Sequence, residues 1–348
     1  AMIWTKHLQQ AIRFLEKVDS RYVSISVDGW GVSFRTHTDD CMANFTLKAA
    51  FPFKRHFTAY LDANEFRSMQ FAAGTMTDCE ATKDGVVFRE ASESVGRLAP
   101  AVPCGVDVYP NFPVRDRYVG AINLCGPEHI RPLVYFTKDR ITIDIDVSNH
   151  KNVATLCTGG SPCSMTQAGV YETWGVRDDV FTVPPCILGF ADFQEVRFDV
   201  YNTYLYATAS SNARDVFASM SVMRGDDWET HLPREDFRWH GFIADDCDDL
   251  SRIVRGELKL YPRDGHICIA RDDDAEGQRI GRIVDDSHPE HVYCVPARYL
   301  YGALWACEGP ALIHLPSLDG YVILEGINGS RHWVPFEGCK AQQTAIRR

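Results

Sequence analysis

The sequence has no long apolar run and no recognisable catalytic signature. None of its apolar segments approaches the roughly 20 residues that a membrane-spanning helix needs, and Met2 to Lys6 does not resemble a signal peptide. A nucleophile elbow, a P-loop, a HExxH helix and a dinucleotide-binding glycine pattern are all absent. We therefore expect a cytoplasmic protein that is not an enzyme.

Cysteines at metal-binding spacing are also missing. The chain of 348 residues contains 12 cysteines, which are scattered singly and mostly lie in apolar segments, as Cys268 and Cys294 do. The closest pair, Cys157 and Cys163, has no second pair or histidine at ligand spacing. We therefore expect free, mostly buried thiols, no metal site and no cofactor.

The sequence also lacks an excess of positive charge. The chain has 36 Lys and Arg against 47 Asp and Glu, which gives a formal net charge of −11. This balance argues against a surface that coats nucleic acid generally, although a local basic stripe on an acidic body is compatible with it. The hydrophobic content of 45% is typical of a globular protein, and the length fits two or three domains.

Strand-length apolar segments and short helices recur three times along the chain. In the last cycle, four such segments between Asp285 and Phe336 surround one helix that begins at a proline. The intervals between cycles are about 120 and about 110 residues, which indicates domain triplication rather than a solenoid. The matching positions are Leu61, Val183 and Val295 at strand ends, followed five residues later by Phe66, Leu188 and Leu300 in the helices.

Periodicity and turn residues predict the remaining elements. Apolar residues at helical spacing predict an amphipathic helix over Thr5 to Val18, and helices are also predicted for Arg117 to Cys125, Pro185 to Phe193 and Ala244 to Val254. The segment Thr158 to Arg177 is rich in Gly, Ser, Pro and Thr, which predicts an inserted loop.

The predicted fold class is α+β. Short single helices among many strands favour domains of antiparallel sheets with two helices on one face. A segment with four prolines and a glycine, Pro100 to Pro113, indicates a linker after the first domain. We expect three domains, at residues 1–113, 114–233 and 234–348.

Several segments resemble the bacterial DNA polymerase III beta subunit, the sliding clamp family. Val295 to Leu304 is similar to the strand-to-helix junction of the family's last domain, and Tyr321 to Leu324 with Trp333 to Phe336 is similar to its terminal strands. Asp62 to Met69 resembles the equivalent helix of the first domain, and Tyr109 to Pro113 lies where that domain ends in the family.

The resemblance implies a DNA clamp fold, in which three clamp-like domains form half a ring and a homodimer closes it. Such a ring is a processivity factor in DNA replication: it encircles double-stranded DNA without sequence preference and tethers a DNA polymerase, after a clamp loader has placed it. No catalytic residue, cofactor or membrane is implied, and the location would be the bacterial cytoplasm or nucleoid. A shortened Asp19 to Tyr22 link, the extra Thr158 to Arg177 segment and residues beyond Phe336 suggest a divergent clamp, with phage encoding as one origin.

A sliding ring requires loose phosphate contacts from Lys and Arg. The alternative is that the basic residues lie on ordinary solvated helix faces. The third-domain helix carries four aspartates between Asp245 and Asp249, which makes it less basic. By resemblance, the candidate DNA-binding residues are Lys6, Arg13, Lys17, Arg67, Arg117, Arg252, Arg255 and Arg298.

The family's second site is a pocket between the middle and last domains that takes a short peptide with apolar anchors. The alternative is that Trp228 packs at a domain junction and that Val334 and Phe336 belong to the core. By resemblance, the candidate pocket residues are His150, Lys151, Trp228, Leu232, Val334, Pro335 and Phe336.

Two other classes of protein remain open. A β-rich viral structural or assembly protein would use the same strands, although matched helix pairs would have no obvious purpose in it. A hydrolase could assemble its site from dispersed residues, since the chain has 12 histidines. We interpret His314 and His332 as strand residues with satisfied hydrogen bonds.

Overall fold

A computed structural model describes the chain in segments. The residues it describes are 2–50, 55–72, 74–103, 112, 116–125, 130, 133, 140–148, 152–158, 162–171, 178–211, 213–226, 239–243, 256–271, 277–284, 292–307, 309–315, 320–327 and 329–338. No helix among these residues is long and apolar enough to cross a bilayer.

The first cycle contains helices α1 (Thr5–Glu16) and α2 (Ala63–Arg67). Leu8, Ile12 and Leu15 lie on the buried face of α1, which confirms the predicted amphipathic helix. Asp62 caps α2 by accepting a hydrogen bond from the backbone N–H of Glu65 at 2.9 Å. The strands are β1 (Met2–Trp4), β2 (Tyr22–Val27), β3 (Gly31–His37), β4 (Cys41–Lys48), β5 (Phe57–Asp62), β6 (Met76–Thr82), β7 (Gly85–Glu90) and β8 (Arg97–Pro100).

The second cycle contains a 3-10 helix, Pro185–Asp192, at the position where a proline-started helix is predicted. Proline suits this place because its fixed φ and missing N–H cost nothing at the first helical residue. The strands are β9 (Tyr118–Cys125), β10 (Ile141–Asp146), β11 (Val153–Thr158), β12 (Cys163–Tyr171), β13 (Asp179–Val183), β14 (Glu195–Tyr201), β15 (Tyr204–Ser210) and β16 (Val216–Met223).

The third cycle contains helix α3 (Ala297–Ala306), which begins directly after Pro296 as predicted. The helix predicted for Ala244 to Val254 lies outside the described residues. The strands are β17 (Trp239–Ile243), β18 (Glu257–Arg263), β19 (His266–Ala270), β20 (Gln278–Ile283), β21 (Tyr293–Pro296), β22 (Ala311–Leu315), β23 (Tyr321–Gly326), β24 (Arg331–Pro335) and β25 (Glu337–Gly338).

Strand pairing repeats with the cycles. The first strand of each cycle pairs antiparallel with the strand that follows α2, the 3-10 helix or α3: β1 with β6, β9 with β14, and β17 with β22. That strand then opens a three-stranded meander, which is β6–β7–β8, β14–β15–β16 and β22–β23–β24. The spatial pairing therefore follows the repeat that the sequence predicts.

The chain divides into two compact units. Unit 1 consists of residues 1–127, 144–154 and 168–227, and unit 2 consists of residues 128–143, 155–167 and 228–348. The domain boundaries predicted after residues 113 and 233 lie outside the described residues and stay predictions.

Unit 1 is built on a wide antiparallel sheet with the order β5–β2–β3–β4–β16–β15–β14–β9. Its inner face is apolar and is covered by α1 and the 3-10 helix. Phe14 of α1 packs against Phe45 of β4 and Phe190 of the 3-10 helix, with ring centroids 5.2 and 5.0 Å apart. Loss of such a buried ring typically costs about 3–5 kcal/mol.

Unit 2 has its own apolar core. It includes Leu260, Val295, Leu300, Ile313 and Val334, each with 0% exposure. Four strands and helix α3 therefore contribute to one packed cluster.

Three sequence predictions are wrong. Residues 118–125 form strand β9 rather than a helix, because β9 is hydrogen-bonded on both sides, to β14 and to β12. Residues 163–171 of the predicted inserted loop form strand β12. Ser164 and Thr166 there are buried, and the Ser164 N–H donates to Thr158 Oγ1 at 2.8 Å. Cys294, predicted to be a free thiol, is disulfide-bonded.

Candidate nucleic-acid interface and partner surface

Helices α1 and α2 and the 3-10 helix lie together on one face of the unit 1 sheet. The 3-10 helix approaches α1 closely at Gly189, where a Cβ atom would lie 2.8 Å from the carbonyl oxygen of Phe14. Only glycine allows this contact without a backbone shift. The close packing brings the polar side chains of the two helices within reach of each other.

Of the predicted DNA-binding residues on this face, Lys6, Arg13 and Lys17 have exposed side chains. Arg13 Nε donates to Asp192 Oδ2 of the 3-10 helix at 2.6 Å, with side chains 56% and 36% exposed. An exposed pair of this kind contributes about 0–1 kcal/mol, so a phosphate could replace Asp192 as the partner of Arg13. Neither Lys6 nor Lys17 has an ion pair within the described part of the chain.

Arg67 is held differently from the other basic residues. One terminal nitrogen of its guanidinium donates to the carbonyl oxygen and, at 2.8 Å, to the hydroxyl of Ser20. Burial lowers the pKa of Arg67, while Asp19, Asp62 and Glu16 act in the opposite direction. These contacts fix the chain between α1 and β2, which gives Arg67 a structural role.

Two of the remaining basic candidates are described, and they belong to other elements. Arg117 is exposed in the residues just before β9, where the predicted helix does not form. Arg298 is exposed on α3 of unit 2, with its guanidinium 4.3 Å from the ring centroid of Tyr299. Arg252 and Arg255 lie outside the described residues.

Carboxylates share the helix face with the basic residues. Glu16, Asp19, Glu65 and Asp192 are all exposed there. Sequence reasoning missed the role of Asp192, because nothing local indicates that it meets Arg13 from 179 positions away.

Three of the predicted pocket residues are described, and they belong to unit 2. Val334 is fully buried in the core, Pro335 is half-buried, and the half-buried Phe336 packs edge-on against Tyr293 with centroids 5.0 Å apart. Val334 is therefore a core residue, which is the alternative interpretation given above for this position. His150, Lys151, Trp228 and Leu232 lie outside the described residues.

The two singled-out histidines have hydrogen-bond partners, as predicted. His332 is fully buried, with Nδ1 2.6 Å from Ser164 Oγ and Nε2 3.1 Å from Ser330 Oγ. His314 Nε2 lies 3.4 Å from Glu325 Oε2. Among the described residues, no group of three His, Cys, Asp or Glu is placed to hold a metal ion.

Comparison with solved structures identifies the architecture. The beta sliding clamp of C. crescentus matches with a TM-score of 0.59 at 14% identity, over 97% of this chain and 98% of that one. The DNA polymerase III subunit beta of Borrelia burgdorferi gives a TM-score of 0.58 at 12% identity, over 97% and 99% of the two chains. The H. pylori beta clamp gives 0.57 at 12% identity, also over 97% and 99%.

The chain has the sliding-clamp fold. No protein-family model and no curated protein matches the sequence. The likeness at 11–14% identity is therefore one of fold, and it extends over 97% of this chain.

Proposed function

We propose that this chain is a DNA sliding clamp, a processivity factor whose homodimeric ring encircles duplex DNA and tethers a DNA polymerase. The observation that carries the proposal is the match to bacterial clamps over 97% of this chain and 98–100% of theirs. A match of that extent includes all three cycles of the repeat. A clamp needs no catalytic site, and we propose none.

Strand pairing supports the closure of a ring by two copies. The last strand of the second cycle, β16, pairs with the third strand after α1, β4. In the same way β24, the last strand of the third cycle's meander, pairs with β12. Within the described residues β8 pairs only with β7, and β20 pairs with β19 and, at its end, with β17. We propose that β8 of one copy pairs with β20 of the other. In a twofold dimer this pairing forms twice, once at each interface between the copies.

The charges support loose contact with DNA. Lys6 and Lys17 lie exposed on or just after α1, and Arg13 is held only by an exposed carboxylate. Contacts of this kind bind phosphates without reading bases. The net charge of −11 makes attachment of DNA elsewhere on the protein less favourable.

A partner peptide would dock beside strand β24. One matching structure is the H. pylori beta clamp bound to a DNA ligase peptide. For this chain we propose that Pro335 and Phe336 contribute to such a pocket with His150, Lys151, Trp228 and Leu232. The buried Val334 would support the strand from beneath rather than touch the peptide.

Topological binding tests the proposal without a clamp loader. The protein is mixed with nicked circular plasmid, its subunits are joined with an amine-specific cross-linker, and the complex is washed in about 1 M salt, which removes electrostatic contacts. We expect protein to stay on the circular plasmid and to leave when a restriction enzyme linearises it. Equal loss from circular and linear plasmid would contradict the clamp function.

Charge variants test the DNA-facing helices in the same protein. Lys6→Glu with Lys17→Glu should weaken binding to duplex DNA and reduce its salt dependence. Asp192→Asn should strengthen binding because it releases Arg13 from its carboxylate. Lys83→Glu, on the turn between β6 and β7, is the control and should leave binding unchanged. Fluorescence anisotropy of a labelled duplex at several salt concentrations measures these effects.

A further inference from the structure

The outer face of the unit 1 sheet, opposite the helices, contains a cavity of about 300 Å³. It lies where β4 and β16 pair, so residues from the first and second cycles both line it. Two lateral rows of side chains meet there. Arg35, Asn44 and Ser219 are successive partners in one row, and His37, Met42, Ser221 and Tyr206 in the next.

Several hydrogen-bond donors at this cavity have no acceptor among the described residues of the protein. Arg35 uses its Nε to donate to Asn44 Oδ1 at 3.3 Å, and its terminal nitrogens make no hydrogen bond or ion pair within the described residues. The hydroxyls of Ser219, Ser221 and Tyr206 likewise have no hydrogen-bond partner there, although Ser221 is only 8% exposed. These groups line one cavity and are available to a ligand bound in it.

The electrostatics of the cavity favour an anion. No carboxylate lines it, although the chain carries 47 Asp and Glu, and Arg35 is its only permanently charged lining residue. Tyr22 Oη lies 3.1 Å from His37 Nε2 and orients the imidazole beside the cavity. A guanidinium with two open nitrogens is suited to bidentate binding of an oxyanion.

We propose that this cavity binds a small organic phosphate of about nucleotide size. A phosphate group has three acceptor oxygens, which suits an arginine fork and three hydroxyls better than the two oxygens of a carboxylate do. Tyr22, Tyr206 and Met42 also line the cavity and supply apolar surface for a flat ring. The ligand would bridge strands of the first and second cycles and so stabilise their junction.

Calorimetric titration with adenosine 5′-monophosphate tests the site, with adenosine and inorganic phosphate titrated separately. We expect saturable binding of one monophosphate per chain, with each fragment binding more weakly. Arg35→Ala should weaken binding by about tenfold to about a hundredfold, because it removes a charge-assisted contact. Tyr206→Phe, which deletes one hydroxyl and preserves the ring, should produce a smaller loss.

Arg89→Ala is the matched control, since Arg89 is exposed on β7 and does not line the cavity. An equal loss of monophosphate affinity in Arg89→Ala would mean that the protein attracts the phosphate only through its general positive charges, which would overturn the proposal. So would adenosine binding as tightly as its monophosphate, or no binding of either phosphate compound. If Arg35→Ala fails to fold, the two single variants Arg35→Lys and Tyr206→Phe replace it in the titration. Unchanged affinity for the monophosphate in both variants would also overturn the proposal.

Discussion

His332 is a polar residue buried in the protein core. Its two ring nitrogens contact the hydroxyls of Ser164 and Ser330, so the neutral ring is satisfied. Burial lowers the pKa of His332 to about 3. The network is therefore stable only while the imidazole is uncharged.

Acid should weaken this part of the protein in a defined range. Between about pH 6.5 and about pH 3 the unfolded chain binds a proton at His332 that the folded chain does not, so the free energy of unfolding falls as the pH falls. The slope is about 1.4 kcal/mol per pH unit. His332→Gln should remove this contribution, which urea unfolding at a series of pH values measures.

His266→Gln is the control for that experiment, because His266 is half-exposed on β19. It should preserve the pH dependence of the parent protein. If His332→Gln preserves it as well, burial of the neutral imidazole does not control acid stability.

At the scale of elements, the contact between α1 and the 3-10 helix organises the proposed DNA face. Phe14, Phe190 and Phe193 cluster beneath it, and Gly189 lets the two backbones approach. The sequence predicts both helices from periodicity and from proline. It does not predict that they touch, since they are far apart along the chain.

Gly189→Val should disturb this contact. The added side chain would meet the backbone carbonyl of Phe14, which is not a flexible group, and overpacking of this kind costs about 1–3 kcal/mol. We expect a lower midpoint of thermal unfolding. Ala191→Val, at a half-exposed position of the same 3-10 helix, should change the midpoint little. Equal shifts of the unfolding midpoint in the two variants would show that Gly189 is not needed for the close approach of the 3-10 helix to α1.

Strands β9 and β12 show where local reasoning fails. The residues of β9 were compatible with a helix, and those of β12 look like a loop because of their Ser, Thr and Gly content. Each forms a strand because neighbouring strands hydrogen-bond to its backbone. Strand β9 pairs with β14 and β12, and β12 also pairs with β24. Backbone pairing with distant strands outweighs the weak local preference.

At the scale of the whole molecule, the proposed ring depends on strand edges. Val95 is 75% exposed and Leu98 is 45% exposed, next to and within β8. Exposed apolar side chains beside an incompletely paired edge strand are typical of a surface that another chain covers. The proposed partner is β20 of a second copy.

Leu98→Asp should therefore convert the proposed dimer to a monomer. We expect the parent protein to sediment at twice the mass of one chain and the variant at the mass of one chain, with unchanged circular dichroism. Ile327→Asp, at a 77% exposed residue just after β23, is the control and should remain dimeric. A dimeric Leu98→Asp protein would mean that another surface joins the copies.

Periodicity and turn residues, which are local, are enough to predict the three cycles, most of their strands and the helices that begin near Thr5, Pro185 and Pro296. The contacts between Arg13 and Asp192 and between Arg67 and Ser20, and the cavity that Arg35 and Ser221 share, follow instead from how the chain folds. Those partners lie far apart along the chain, and no local pattern records which strands and helices will be neighbours.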